Sequence, residues 1–320
     1  MAELPIQSGS TYPDLASSAN GSMLPTMWST RCTVKHYGTV IGMEICNNDW
    51  EGDIKTMGQS VVIQRTPDTT VIDGNKDVDL DVAGLYNTPT APNALLEINQ
   101  REIYGFAIED VDAFQTNINY LDRQADDAVR KVAIRQDTKL LAGIAAQVAT
   151  TNRGATAGIN ADTNLGATGA PVLITAANAL NFLMRMKRVL TEQGVSKIGL
   201  KAVIGPKFAQ IIKNTDLKSA LITGDDVGVI RNGRLGEIDG LTMYESIFLP
   251  QFVDGSNNCE YVYVIHPDGL TWAMQYTLPE FIRLQNKFKT GIRGQTLWGY
   301  KVVEPTYIAA GYVTYDSTAL

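Results

Sequence analysis

An α+β protein is predicted by three observations: a ribbon-like pair of strand patterns between residues 53 and 110, a long helical pattern over 114–149, and strand and turn signals that alternate over 241–315. No proline or turn signal interrupts 114–149. Ile118, Leu121, Ala125, Val129, Val132, Leu140 and Ile144 fall at spacings compatible with one helical face, with Gln136 as a polar interruption. Asp126 with Arg130 and Asp127 with Lys131 are acid-then-base pairs at i,i+4, the orientation that supports a solvated helix surface. At about 1.5 Å per residue such a helix is near 50 Å long, beyond ordinary globular length. It predicts a brace for something extended.

The remaining elements follow in chain order. Residues 1–52 are rich in Ser, Gly, Pro and Asn, and Pro5, Pro13 and Pro25 stop any helix early, which predicts an extended arm with little core of its own. The stretch 60–65 (SVVIQR), bounded by Gly58 and Pro67, reads as a strand, and 95–106 (LLEINQREIYGF) shows runs of period two. Between them lies a connector over 67–93 with Asp73-Gly74, Pro89 and Pro92. A connector that long inside a compact domain is functional or mobile, and an isolated two-stranded ribbon is marginal in water, so the ribbon calls for another chain beneath it. The Gly/Ala/Thr/Asn tract 150–171 reads as a flexible link between two lobes. After it come a helix over 175–193 with Gly194 as its cap, a strand over 201–204 stopped by Gly205-Pro206, and a helix over 207–214. Strands are predicted at 241–248, 260–266, 270–276, 281–286, 300–303 and 309–315, with mixed pairing.

Composition limits function. With 320 residues, 44% of them hydrophobic and 19% charged, the chain can build a core. Its net charge of −7, with no Lys/Arg-rich run, argues against gripping nucleic acid through phosphates. No apolar run approaches the roughly 20 residues of a spanning helix, so no membrane segment is predicted. The N-terminus has neither the basic region nor the apolar region of a secretory leader, and Cys32, Cys46 and Cys259 read as free thiols in a reducing compartment.

Chemistry-bearing motifs are sparse. Residues 73–81 (DGNKDVDLD) alternate oxygen ligands as a calcium loop does, but Val78 stands where that loop needs Gly and Gly84 where it needs Glu. Cys32, His36 and Cys46 lack the paired spacing of a zinc site. Phosphate-loop, nucleophile-elbow and His-Glu-x-x-His patterns do not occur, so no catalytic residue, metal or cofactor is predicted. Glu109, Asp110 and Asp112 cluster where the ribbon meets the helix. They could line an enzyme's cleft, although acids at a helix N-terminus ordinarily complement the macrodipole. Lys287, Lys289 and Arg293 form the one basic concentration, suited to carboxylates on a neighbouring copy of the chain.

The order of arm, ribbon, long helix, Gly-rich tract and α+β lobe resembles the major capsid protein of tailed double-stranded DNA bacteriophages, the Hong Kong 97-type fold. The resemblance covers nearly the whole chain. It rests on residues 58–67 (GQSVVIQRTP) with 70–73 (TVID), on 104–112 (YGFAIEDVD), on 233–246 (GRLGEIDGLTMYES) and on 288–300 (FKTGIRGQTLWGY). It implies an N-terminal arm over 1–52, an E-loop ribbon over 53–110, and a peripheral domain over 111–165 that holds the spine helix and is completed by about 272–300. It also implies an axial domain over 166–271 with 301–320. Implied too are a self-assembling icosahedral shell of pentamers and hexamers, a separate scaffolding protein, a portal, a possible decoration protein, and packaged double-stranded DNA held without sequence-specific contacts. Inter-subunit contacts are expected at Arg65, Asp73, Lys76, Asp77, Lys287, Lys289 and Arg293. Some relatives join an E-loop lysine to a neighbour's asparagine; Lys76 and Asn286 could be named, but no motif here identifies them. A bacterial encapsulin, a shell around a cargo enzyme, would share the same features. A cytosolic enzyme using Glu109, Asp110 and Asp112 is the alternative from another class.

Overall fold

The computed structural model describes residues 40–50, 60–66, 71, 93–109, 120–214, 236–276 and 279–315. Residues 1–39 and 51–52 of the expected 1–52 arm, most of the 67–93 connector and the predicted helix start at 114–119 lie outside the described residues.

A seven-stranded mixed sheet and a four-stranded antiparallel sheet organise the chain. The larger is built from β4 (Val172–Ile174), β5 (Lys201–Ile204), β6 (Glu237–Ile238), β7 (Leu241–Glu245), β8 (Gln251–Asp254), β9 (Asn257–Ile265) and β13 (Ile308–Tyr315). Its order is β4-β13-β9-β5-β7-β6, with β8 also on β9. The pairs β5–β7 and β13–β4 are parallel and the rest antiparallel, which is the mixed pairing expected. Asp239 (φ 51°) and Gly240 (φ 70°) both take left-handed backbone between β6 and β7, as the Asp-Gly pair of a tight hairpin turn requires.

Two helices, α3 (Ala179–Glu192) and α4 (Pro206–Lys213), cover one face of this sheet. Proline at the first turn of α4 costs no hydrogen bond, because that N–H has no partner inside the helix. Phe182, Leu183 and Met186 of α3, Phe208 and Ile211 of α4, and Val262, Val264 and Val313 of the sheet form one core. Each such side chain removed from water contributes roughly 1.5–3 kcal/mol.

The other face of β9 feeds a second core. Alternate side chains of a strand point to opposite faces, so Tyr263 and Ile265 pack away from Val262 and Val264. They meet Leu140, Leu141 and Ile144 of the long helix α2 (Tyr120–Gln147), Ile45 of the short α1 (Gly42–Ile45) with Ile41 just before it, and Trp272 and Trp298. The two indoles stack with ring centroids 4.7 Å apart. Tyr263 Oη donates to the Leu141 carbonyl at 2.8 Å, tying sheet to helix. With 28 described residues α2 spans about 42 Å at 1.5 Å per residue.

The smaller sheet is centred on β12 (Lys289–Val302). It pairs with β3 (Gln100–Glu109) on one side, and with β10 (Leu270–Tyr276) and β11 (Glu280–Arg283) on the other. The sequence predicts a strand only at 300–303 here; the strand actually has 14 residues. Its glycines are notches rather than turns. A Cβ on Gly299 would lie 2.0 Å from the Glu97 carbonyl oxygen, and one on Gly294 would lie 2.4 Å from the Tyr104 ring.

Two further expectations are corrected. The 150–171 tract is a packed segment. Leu165 and Ala157 are buried in the first core, the Tyr312 N–H donates to the Leu165 carbonyl at 2.8 Å, and the buried Asn152 amide donates to the Thr306 and Ile308 carbonyls at 2.7 and 3.0 Å. Its glycines serve turns: Gly166 takes φ +87°, and a Cβ there would strike the Tyr312 carbonyl oxygen. Within the described part of the ribbon, β1 (Ser60–Gln64) and β2 (Asn93–Glu97) pair antiparallel and bury one face on their own subunit. Ile63, Ala94 and Leu96 pack with Ala273 and Val303, so the base of the ribbon needs no second chain beneath it.

Candidate assembly surfaces

The smaller sheet and the ribbon position the candidate contact residues. Arg65, just past β1, pairs with the Glu304 carboxylate of the same chain, which also accepts from Thr306 Oγ1 at 3.1 Å. Lys289 opens β12 opposite Glu109, with Nζ 3.5 Å from Glu109 Oε2. Arg293 reaches across to β11, its Nε 2.9 Å and its second amine nitrogen 2.8 Å from Glu280 Oε2. Lys287 stands in the exposed turn between β11 and β12, with no ion pair among the described residues. Asp73, Lys76 and Asp77 lie outside the described residues, as do Asp110 and Asp112. Of the three carboxylates considered for an enzyme, the structure therefore places Glu109 alone, and it faces a lysine. Among the described residues no group of three or more His, Cys, Asp and Glu side chains is disposed to hold a metal ion, and no helix is long and apolar enough to cross a membrane.

Sequence reasoning passed over the apolar side of these surfaces. Phe281 and Phe288 of the β11–β12 hairpin are 63% and 80% exposed, and Leu284 between them is exposed as well. On the ribbon, Val62 and Leu95 stand directly opposite one another and both face outward, on the side away from Ile63 and Leu96. The signal was present in the FIRLQNKF string, which sets Phe281, Leu284 and Phe288 among Arg283 and Lys287 along a hairpin, but strand period alone does not say which face lacks a partner.

The hairpin and the ribbon are also tied back to the long helix. Glu102 of β3 is buried and lies between Arg135 and Lys139, one turn apart on α2. Below it, Gly143 of α2 leaves room for Tyr300 of β12: a Cβ there would fall 1.6 Å from the tyrosine oxygen. The helix is thus keyed to the sheet by a charge clamp and a notch.

No protein-family model and no curated protein sequence matches the chain. Solved structures do. A chain of Mycobacterium phage Che8 is 21% identical with a TM-score of 0.68, over 93% of this chain and 98% of that one. The capsid structure of the cyanophage P-SCSP1u gives 13% identity and a TM-score of 0.68, over 97% and 99%. The mature capsid of bacteriophage PhiM1 gives 14% and 0.64, over 99% of each chain. The chain has the Hong Kong 97-type capsid fold. Of the parts expected of this fold, the long helix α2 is the spine helix. Among the described residues, ribbon strands, long helix and α+β lobe follow one another in the order expected from the sequence.

Proposed function

We propose that the chain is the subunit of an icosahedral capsid that encloses a double-stranded DNA phage genome. The supporting observation is the fold likeness to capsid structures over nearly the whole of both chains. In this reading residues 1–52 are the arm, 53–110 the E-loop, 111–165 with about 272–300 the peripheral domain, and 166–271 with 301–320 the axial domain. The exposed Phe281, Phe288, Val62 and Leu95 offer apolar surface to neighbours. Arg65, Asp73, Lys76, Asp77, Lys287, Lys289 and Arg293 supply charges at the same contacts; those already paired within the chain could exchange or share partners across it.

Shell formation then follows from multivalency. Each subunit touches several others through modest contacts, which sum to a closed shell while remaining individually reversible during assembly. An acidic wall repels packaged phosphate, so the genome is not held fast. A separate scaffolding protein and a portal are the partners this reading calls for, and the virion is the location. The phage capsids among the structural neighbours favour a genome shell over an encapsulin-like cargo shell.

Negative-stain microscopy and sedimentation of the purified full-length chain test the reading. Closed particles of megadalton mass are expected, and a small soluble oligomer at every concentration would refute it. Deleting residues 68–90 should leave the larger sheet folded while particles fail to form. Normal shells from that deletion would remove the E-loop role.

A further inference from the structure

Asp137 is the most buried carboxyl group among the described residues, 1% exposed in the middle of the spine helix. One oxygen, Oδ2, accepts from the Ile41 N–H at 3.3 Å, and the Gly42 backbone lies against the carboxylate. The other, Oδ1, is buried with no hydrogen-bond partner. It lies where a Cβ on Gly42 would be 2.6 Å away, so the strap formed by residues 41–46 sits directly on the carboxyl group. The strap is fastened at its far end, where the Asn47 N–H donates to the Leu270 carbonyl and the Trp272 N–H to the Asn47 carbonyl. At its near end Asp137 is the anchor.

The charges around this carboxyl group do not neutralise it. From the strap, Glu44 is exposed and Cys46 is a buried thiol, pushed up by burial and then by Asp137 itself. From β5, Lys201 has its ammonium on the Glu44 carbonyl. On the spine helix, Arg135 and Lys139 are committed to Glu102 of β3. Tyr104 of β3, Trp272 and Met274 of β10 and Thr296 of β12 line the same apolar cavity of about 160 Å³ and bring no opposite charge. A buried carboxylate with one bare oxygen and no cation is costly, and either a proton or water relieves it.

We propose that Asp137 is a proton-operated latch: protonated, it seats the 41–46 strap on the spine helix, and ionised, it loosens the strap so that water can reach the carboxylate. The latch belongs to the folded subunit and holds whatever that subunit assembles into. Burial raises the Asp137 carboxyl from 3.8 to about 6 in the seated form. A group raised on seating stabilises the seated form fully below its ordinary value, and that contribution is lost as pH rises to the raised one. These two values correspond to about a tenfold rise in strap opening between pH 5 and pH 7.

Hydrogen exchange of the 41–46 peptide in the full-length protein, corrected for intrinsic exchange rates, reads this directly. Wild type should lose about tenfold of its protection from pH 5 to pH 7, while Asp137→Asn, which cannot ionise, should show no such slope. Gly42→Ala keeps the carboxyl group but crowds it, and should lose both the protection and its pH slope. A flat wild-type profile, the same slope in Asp137→Asn, or a retained slope in Gly42→Ala would each overturn the latch. Should Asp137→Asn fail to fold, the wild-type profile and Gly42→Ala still decide.

Discussion

Glu102 Oε2 lies 2.7 Å from Arg135 Nε, and its second oxygen is held by Lys139 one helical turn away. The carboxylate is buried and its two cations are half out in water, so the clamp fixes the root of the ribbon to the spine helix without burying a full triad.

Removing the acid should therefore cost less than breaking a fully buried pair. For Glu102→Gln we expect a loss of about 1–2 kcal/mol, below the roughly 3–5 kcal/mol of a fully buried bridge because both cations can return to solvent. Urea unfolding of unassembled subunits measures it. A loss under the error of that measurement would mean that the clamp is decorative.

The glycine notches should rank by what stands opposite. Gly299→Ala drives a methyl group into the Glu97 backbone carbonyl, which cannot rotate away, and should cost about 3 kcal/mol or more. Gly294→Ala meets the Tyr104 side chain, which can turn aside, and should cost about 1–2 kcal/mol. Melting temperatures of the two variants check the order, and the reverse ranking would contradict the geometry.

Phe281→Ser and Phe288→Ser touch exposed side chains of the hairpin, so subunit stability should stay within about 0.5 kcal/mol of wild type. If the hairpin meets neighbouring subunits, particle yield should fall in both. Intact yield together with intact stability would assign those phenylalanines no role in assembly.

Glu260 gives a second pH effect, separate from the strap. It is buried on β9 beside Gly205, accepts from the Tyr315 hydroxyl, and burial raises its carboxyl above the ordinary 4.5. A raised folded-state value means that its contribution to stability is complete below 4.5 and is lost as pH climbs through the raised value. Melting temperature measured upward from pH 4.5 should therefore fall less steeply in Glu260→Gln than in wild type. An identical slope would show that the group ionises as freely in the fold as outside it.

Legibility in the sequence followed physical contrast. The strands at 201–204 and 270–276 are found with their exact predicted bounds, because Gly205-Pro206 and Pro267 to Gly269 punctuate dense apolar runs. β12 extends far beyond the predicted 300–303, and two of its glycines, Gly294 and Gly299, leave room for the Tyr104 ring and the Glu97 backbone to come close. The 150–171 tract read as flexible because small polar residues mark both linkers and tightly turned, backbone-bonded segments. Its hydrogen bonds to β13 and the burial of Ala157 and Leu165 distinguish the two. Among candidate contact residues, charge was visible in the sequence and pairing was not: nothing local says that Arg65 meets Glu304, 239 residues away. Asp137 follows the noticed Gln136 but is not among the residues that periodicity placed on the helical face, and its burial depends on a strap almost a hundred positions earlier.

Because Val262 and Val264 feed one core while Tyr263 and Ile265 feed the other, β9 works as a party wall. Expressing either side as a separate fragment would leave a raw greasy face, and a single-residue insertion in that strand would turn both rooms inside out at once. Engineering that aims to graft, split or permute this chain should leave that wall whole and make its cuts at the hairpin tips.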